Sequence, residues 1–269
     1  MIMRSRRSIA WVGLAVLCAL VMCASPLCAQ HFYFAQMTDL HFGGNGDNAA
    51  RAAVAVDNVN HVPMKLECVV VTGDLMSDNI LDSAILNTAL STLKPLKPPV
   101  HYLAGNHDIV DGDKVAATRD AFVKSFGPIA SKAEYNGVVF LMLYTEPLRK
   151  PVKIPGYDPL EWLGQALKDA QNKPVIVFTH APDDEDFWGN EVKGPGWPKE
   201  CRDKWETLIK SRNVKAVITG HYHRDELHWI GSVPEFVSAP TASYFGRLNT
   251  YRIYEYTDGK IGYRTIYLN

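Results

Sequence analysis

Seven side chains of this sequence have the types and spacing to hold metal ions: Asp39, His41, Asp74, Asn106, His180, His221 and His223. Two carboxylates, one amide oxygen and four imidazoles form a set of hard and borderline donors that suits manganese, iron or zinc better than calcium. Seven donors are too many for one tetrahedral zinc. They suit two divalent or trivalent ions about 3.5 to 4 Å apart that share a bridging carboxylate. Such a pair lowers the pKa of a bound water, orients phosphoryl oxygens and neutralises the charge that develops during in-line attack.

The elements that would position these residues are short runs rich in Val, Ile and Phe, which read as buried strands over 32–37, 68–72, 100–103, 138–144, 175–179 and 214–219. Nearly every run ends in a polar cluster: Thr38-Asp39-Leu40-His41, Gly73-Asp74, Gly105-Asn106-His107-Asp108, Thr179-His180 and Gly220-His221-Tyr222-His223. In α/β sheets ligands bind at the carboxyl ends of the strands, so these five clusters are expected to meet despite their distance in sequence. Asp39 and Asp74 are 35 residues apart and Asp74 and Asn106 are 32 apart, each about the length of a βαβ unit. Helical composition over 48–59 and 80–93 supplies the crossovers, so the first part reads β-α-β-α-β with parallel pairing. Glycines 73, 105 and 220 directly precede polar residues, where a bare backbone can approach a ligand. Beyond His221 the runs over 227–230, 235–238, 250–256 and 261–267, the last two joined by Asp258-Gly259, predict an antiparallel meander. No repeat or long linker divides the chain, so residues 30–269 read as one domain.

The order D-x-H, G-D, G-N-H-D, H and G-H-x-H, spanning Asp39 to His223, resembles the calcineurin-like metallophosphoesterase family. The resemblance implies an α/β fold, a four-layer α/β/β/α sandwich of two mixed sheets. It places Asp39, His41 and His223 on one metal and Asn106, His180 and His221 on the other, with Asp74 bridging. It puts His107 beside the substrate, where it protonates the leaving oxygen as a general acid or stabilises the transferring phosphoryl group, and either Asp108 or Asp78 is placed in sequence to orient it. The activity implied is hydrolysis of a phosphodiester or phosphomonoester by metal-activated hydroxide, on a small-molecule substrate. Thr38-Asp39-Leu40-His41, Thr72-Gly73-Asp74-Leu75 and the G-N-H-D form are most similar to the cyclic-nucleotide phosphodiesterase-like branch. Ser77 stands where purple acid phosphatases carry a tyrosine ligand, and Met76-Ser77-Asp78-Asn79 departs from the phosphoprotein phosphatase block. The alternatives are a metal-binding protein of the same fold with weak or no catalysis, and a nuclease of the superfamily. His107 and Asp74 are both present, against the first, and the chain has no basic stripe, against the second.

Substrate choice is expected in residues 181–201, where Phe187, Trp188 and Trp197 accompany four acids at 183–186; the aromatics either stack on substrate or pack the loop down. Residues 244–247 are a second candidate, with Arg247 facing phosphate. His31, His61, His101 and His228 belong to no cluster and read as ordinary solvated or satisfied side chains.

Arg4, Arg6 and Arg7 precede an apolar run over 9–22 and a small-residue end at Leu27-Cys28-Ala29, the pattern of a secretory signal. The run falls short of the roughly 20 apolar residues of a membrane span unless the Cys/Ala/Ser tail is counted. Cleavage after Ala29 is the expectation, giving a secreted or periplasmic protein without a stable membrane span. A lipid anchor on Cys23 is the alternative, and Met22 is a poor residue before a lipidated cysteine. The remaining 240 residues carry 25 basic and 29 acidic side chains, no field that would draw the protein to nucleic acid. Only Cys68 and Cys201 then remain, too few for a disulfide framework, and Cys68 opens a valine run as a small buried hydrophobe.

Overall fold

A computed structural model describes residues 30–44, 46–150, 152–185, 196–242 and 248–268. The predicted signal over 1–29 and the residues Phe187, Trp188, Tyr244 and Arg247 lie outside that set.

Two mixed sheets form the centre of the molecule. The first has the order β11-β10-β1-β2-β3 and contains β1 (His31–Met37), β2 (Leu66–Thr72), β3 (Val100–Leu103), β10 (Thr250–Thr257) and β11 (Lys260–Tyr267). Strands β1, β2 and β3 run parallel, while β10 joins β1 and β11 joins β10 antiparallel. The second has the order β4-β5-β6-β7-β9-β8, with β4 (Ala130–Tyr135), β5 (Val138–Leu143), β6 (Val175–Phe178), β7 (Val214–Thr219), β8 (Glu226–Ile230) and β9 (Val233–Val237). Here β5, β6, β7 and β9 are parallel, flanked by antiparallel β4 and β8.

Side-chain alternation along the strands sorts the apolar residues into three cores, which is what a four-layer α/β/β/α sandwich requires. On β1, Phe32 and Phe34 face the second sheet and meet Phe140, Phe178 and Tyr254, whereas Ala35 and Met37 face the helices. The helices on the first sheet are α1 (Asn48–Asn60), α2 (Ser83–Leu93) and α3 (Val115–Phe126). Ala52, Ala55, Val56 and Val59 bury one stripe of α1 at helical spacing. The second sheet is covered by α5 (Pro159–Asp169) and α6 (Lys199–Lys210), with Leu163, Leu167, Trp205 and Ile209 inward. A one-turn helix, α4 (Glu146–Arg149), follows β5.

The predicted helix over 80–93 begins three residues late because Asp82 caps it, accepting from Ala84 N and Ile85 N. The predicted meander is two separate hairpins. Strands β8 and β9 close the edge of the second sheet, β9 running parallel to β7, and the chain then crosses to the first sheet for β10 and β11. β4 is a strand the sequence concealed, since its lysine and glutamate alternate outward on an exposed edge. Cys68 is fully buried and, like Cys201, is a free thiol.

Candidate metal centre

All five predicted polar clusters lie at strand ends along one seam between the sheets. Three come from the first sheet, at the ends of β1, β2 and β3, and two from the second, at the ends of β6 and β7. Adjacent loops are tied together: Asp39 N donates to Gly73 O at 3.0 Å, His41 N to Asp74 O at 2.9 Å, and Gly220 N to His180 O at 2.9 Å. Across the seam, His180 Nδ1 donates to Thr72 O at 2.9 Å, which leaves Nε2 as the ring's free lone pair when the ring is neutral.

Ligand atoms of Asp39, His41, Asp74 and His223 lie within 4.8 Å of one another, and so do those of Asp74, His180 and His221. Asp74 belongs to both groups, so these residues could hold two metal ions with one carboxylate between them. Asp74 Oδ2 is 3.1 Å from His180 Nε2 and 3.8 Å from His41 Nε2, while Oδ1 accepts from His107 N at 2.9 Å. Asn106 Oδ1 stands 3.2 Å from His180 Nε2, which places the seventh predicted residue beside the second group. Asp39 is fixed through Oδ2 by Thr38 Oγ1 at 2.7 Å and His221 N at 3.1 Å.

The donor set fits metal ions on its own chemistry. Asp39 Oδ1 is buried and lies 3.1 Å from His223 Nε2. Ring nitrogens face each other at 3.2 Å in the His41–His223 and His180–His221 pairs, close enough for both nitrogens of a pair to reach one ion. Burial pushes His41 down to about 4, and burial with the charges of His180 and Arg149 takes His221 well below the usual range, so both imidazoles are ready to donate lone pairs. Although burial favours its acid form, His180 holds Asp74 well below the usual carboxylate range. Burial opposes charge on His180 in turn, but Asp74 and Asp39 hold it up at about 10.

The backbone carries the same imprint. Asp39, His41, Asp74, His221 and His223 all have positive φ, between 48° and 71°, although none is glycine. Asp and His tolerate this left-handed region better than most residues, and its clustering at one place marks a functional site.

His107 lies at the rim with its ring 5.3 Å from that of His41. Its Nδ1 is 3.0 Å from Asp78 Oδ1, and Asp78 N donates back to His107 O at 3.1 Å, so Asp78 is the residue that orients it. Burial opposes protonation of His107, but Asp74 and Asp78 outweigh it and raise its pKa. Asp108 does something else. It is fully buried and accepts from the backbone N–H groups of Gly105 at 2.8 Å, Met76 at 2.8 Å and Leu75 at 3.2 Å, clamping the Asn106 loop to the Asp74 loop. Burial and the nearby Asp74 push it up to about 7.

Trp197 of the 181–201 segment is buried and packs on Trp205 of α6 at 5.2 Å between ring centroids. His31, His61, His101 and His228 contact Glu255, Asp57, Tyr135 and Glu226, away from the seam.

Residues 32–225 match the calcineurin-like phosphoesterase family, and the chain belongs to it. Among curated relatives, the human serine/threonine-protein phosphatase CPPED1 is 28% identical over 161 residues, 55% of this chain and 49% of its own length. The chain thus spans about half of that relative. The mouse protein of the same name is also 28% identical, over 72% of this chain and 70% of its own. A probable cyclic nucleotide phosphodiesterase, RPA0124, from Rhodopseudomonas palustris is 26% identical over 71% of both chains. In fold, the chain is similar to a dimetal phosphatase from Danio rerio, with a TM-score of 0.65 at 15% identity, covering 88% of this chain and 99% of that one. Its fold is that of the metallophosphoesterases.

Proposed function

We propose that the protein is an exported dinuclear phosphoesterase that hydrolyses a small-molecule phosphodiester or phosphomonoester, with His107 as general acid. One observation carries this reading: two metal-capable groups share Asp74 in a buried seam, beside a histidine held by a carboxylate. Asp39, His41 and His223 would hold one ion, and Asn106, His180 and His221 the other, with Asp74 shared by both groups. Bound there, manganese, iron or zinc supplies Lewis acidity that lowers the pKa of the attacking water and offsets phosphoryl charge. His107 Nε2 then gives its proton to the leaving oxygen, and Asp78 keeps the ring in the donating orientation. The names of the phosphatase and phosphodiesterase relatives support a phosphoester substrate.

Hydrolysis of bis-p-nitrophenyl phosphate and of its monoester, by protein loaded with manganese, iron or zinc, tests the proposal. Turnover should require metal and should vanish in Asp74→Asn and His107→Ala. Two ions bound per chain without turnover of either ester would favour the binding-protein reading. Export rests on the arginine-led apolar run over 1–29. Among the described residues no helix is long and apolar enough to cross a membrane. The intact mass of the exported chain should correspond to a start at Gln30, and a mass that includes residues 1–29 would refute cleavage.

A further inference from the structure

Gln36 and Arg252 stand opposite each other on β1 and β10, and both are fully buried. They lie on the face turned to the second sheet, since Tyr251 and Ile253 pack with the helices while Tyr254 belongs to the core between the sheets. A continuous line of polar contacts joins them. Arg252 Nη1 donates to the Tyr254 hydroxyl at 3.2 Å, that hydroxyl donates to Gln36 Oε1 at 3.0 Å, and Gln36 Nε2 donates to Thr72 Oγ1 and Thr219 O, each at 2.8 Å. At the other end of the line Arg252 Nη2 lies 2.9 Å from Asp225 Oδ1, and its Cζ stands 4.1 Å from the centroid of the Tyr263 ring. Asp225 also accepts from Ala239 N and from Thr265 Oγ1, each at 2.8 Å. Two of these contacts, Gln36 to Thr219 and Arg252 to Asp225, tie the first sheet to the end of β7 and to the loop that follows it.

The members of this line sit next to the metal-capable residues in the chain. Thr72 comes two residues before Asp74, and its carbonyl accepts from His180 Nδ1. Thr219 comes two before His221, Gln36 three before Asp39, and Asp225 two after His223. We propose that Arg252 is a positioning residue for the metal centre: held between the sheets, it fixes through Asp225 the loop over 220–225 that carries His221 and His223. The inference rests on the dinuclear reading of the site. That loop supplies one donor to each metal-capable group, His223 to the one with Asp39 and His41 and His221 to the one with His180, so a displaced loop loosens both ions at once. Stability of the fold explains the arrangement less well. A guanidinium with no exposed surface, facing one carboxylate, recovers little of its desolvation cost, and an apolar side chain of similar volume would pack this layer as well. What an apolar residue cannot do is hold Asp225, and with it the loop, in one place.

The test is calorimetric titration of manganese into the full-length, metal-free protein, beside urea unfolding of the same metal-free samples. Arg252→Met removes the cation and leaves Asp225 its two other donors and a side chain 31% exposed, so no charge is stranded in the core. Asp225→Asn removes the other half of the pair. In both variants Kd for each of the two ions should rise by about tenfold to a hundredfold, while the metal-free urea midpoint of Arg252→Met stays at or above that of wild type. Phe140→Leu, a cut in the core between the sheets, is the control: it should lower the urea midpoint and leave manganese affinity within twofold of wild type. Manganese affinity within twofold of wild type in Arg252→Met would overturn the assignment. So would a loss of affinity in Phe140→Leu as large as in Arg252→Met, because the effect would then be general loosening of the fold. If Arg252→Met does not fold, Asp225→Asn decides by the same twofold criterion. A wild-type protein that binds no manganese would overturn the dinuclear reading, and this inference with it.

Discussion

Replacing Gly73 by alanine should destabilise the protein at the metal centre itself. Gly73 has φ of +88°, and a Cβ there would sit 2.6 Å from His180 Nδ1 and 2.8 Å from Gly105 N. Neither neighbour can retreat cheaply: His180 Nδ1 is bonded to Thr72 O at 2.9 Å, and Gly105 N to Asp108 Oδ2 at 2.8 Å. Left-handed backbone costs an alanine roughly 1–2 kcal/mol. Forcing a methyl into a packed site costs roughly 1–3 kcal/mol more. The sum, about 2–5 kcal/mol, is a large share of a total of roughly 5–15 kcal/mol. In a domain of this size it corresponds to a fall in Tm of about 5–20 °C. Gly156→Ala is the control, since φ there is +74° with nothing within 4 Å of the added methyl, leaving only the backbone cost. Differential scanning calorimetry of metal-free samples separates the two, and mass spectrometry of metal-loaded samples reports whether His180 still binds. Equal Tm losses in the two variants, with full metal content in Gly73→Ala, would refute the claim that His180 and Gly105 leave no space.

Asp78→Asn should lower kcat by about tenfold or more while leaving metal content unchanged, because His107 loses the carboxylate that orients it; equal kcat would remove Asp78 from the mechanism. Asp108→Asn replaces an acceptor of three backbone N–H groups with one carrying its own donor, and should cost about 1–3 kcal/mol in a urea titration. Burial, with the charges of Glu206 and Asp184, pushes Asp183 up to about 6 against a hydrogen bond with Glu235, and burial with the charge of Asp183 takes Glu235 well above the carboxylate range, so each keeps its proton in the fold at pH values where the unfolded chain loses it. Stability from this pair is therefore full below about pH 4 and is lost as pH rises through 6 and beyond; Glu235→Gln should flatten the urea midpoint between pH 5 and 8. Chelating the metal should lower Tm, by an amount set by about 2.7 kcal/mol at a free metal concentration a hundred times Kd, and a Tm indifferent to chelation would count against occupied sites.

Much of the site was legible because the same rule recurs. An apolar run closed by Thr-Asp, Gly-Asp, Gly-Asn-His, Thr-His or Gly-His reads as a buried strand delivering donors to a sheet edge, and Asp39, Asp74, Asn106, His180 and His221 all follow such runs. What the sequence could not give is which sheet each strand joins. Runs 100–103 and 175–179 look alike locally, yet β3 closes the edge of one sheet and β6 sits inside the other. Pairing partners are chosen by long-range burial, as when Phe34 stacks with Tyr254 at 5.0 Å, 220 residues away. The orienting partner of His107 was undecidable for the same reason: Asp108 is its neighbour in sequence, but the fold turns that carboxylate under the loop and brings Asp78 to the ring.

The left-handed residues at the centre connect these observations to energetics. Five of the seven metal-capable side chains sit on positive-φ backbone, and their carboxylates and imidazoles are almost wholly withdrawn from water. Each such residue is strained by roughly 1–3 kcal/mol, and buried carboxylates without full hydrogen bonding cost more. Nothing in the hydrophobic cores needs these conformations: the strands that carry the residues end before them, at Met37, Thr72 and Thr219. The strain is offset partly by backbone bonds between neighbouring loops, such as His41 N to Asp74 O, and partly by the Asp108 clamp. The remainder falls to whatever cation the donors converge on. Because the two sheets hold these donors in place, metal ions bound there would add to folding stability without having to organise the ligands first.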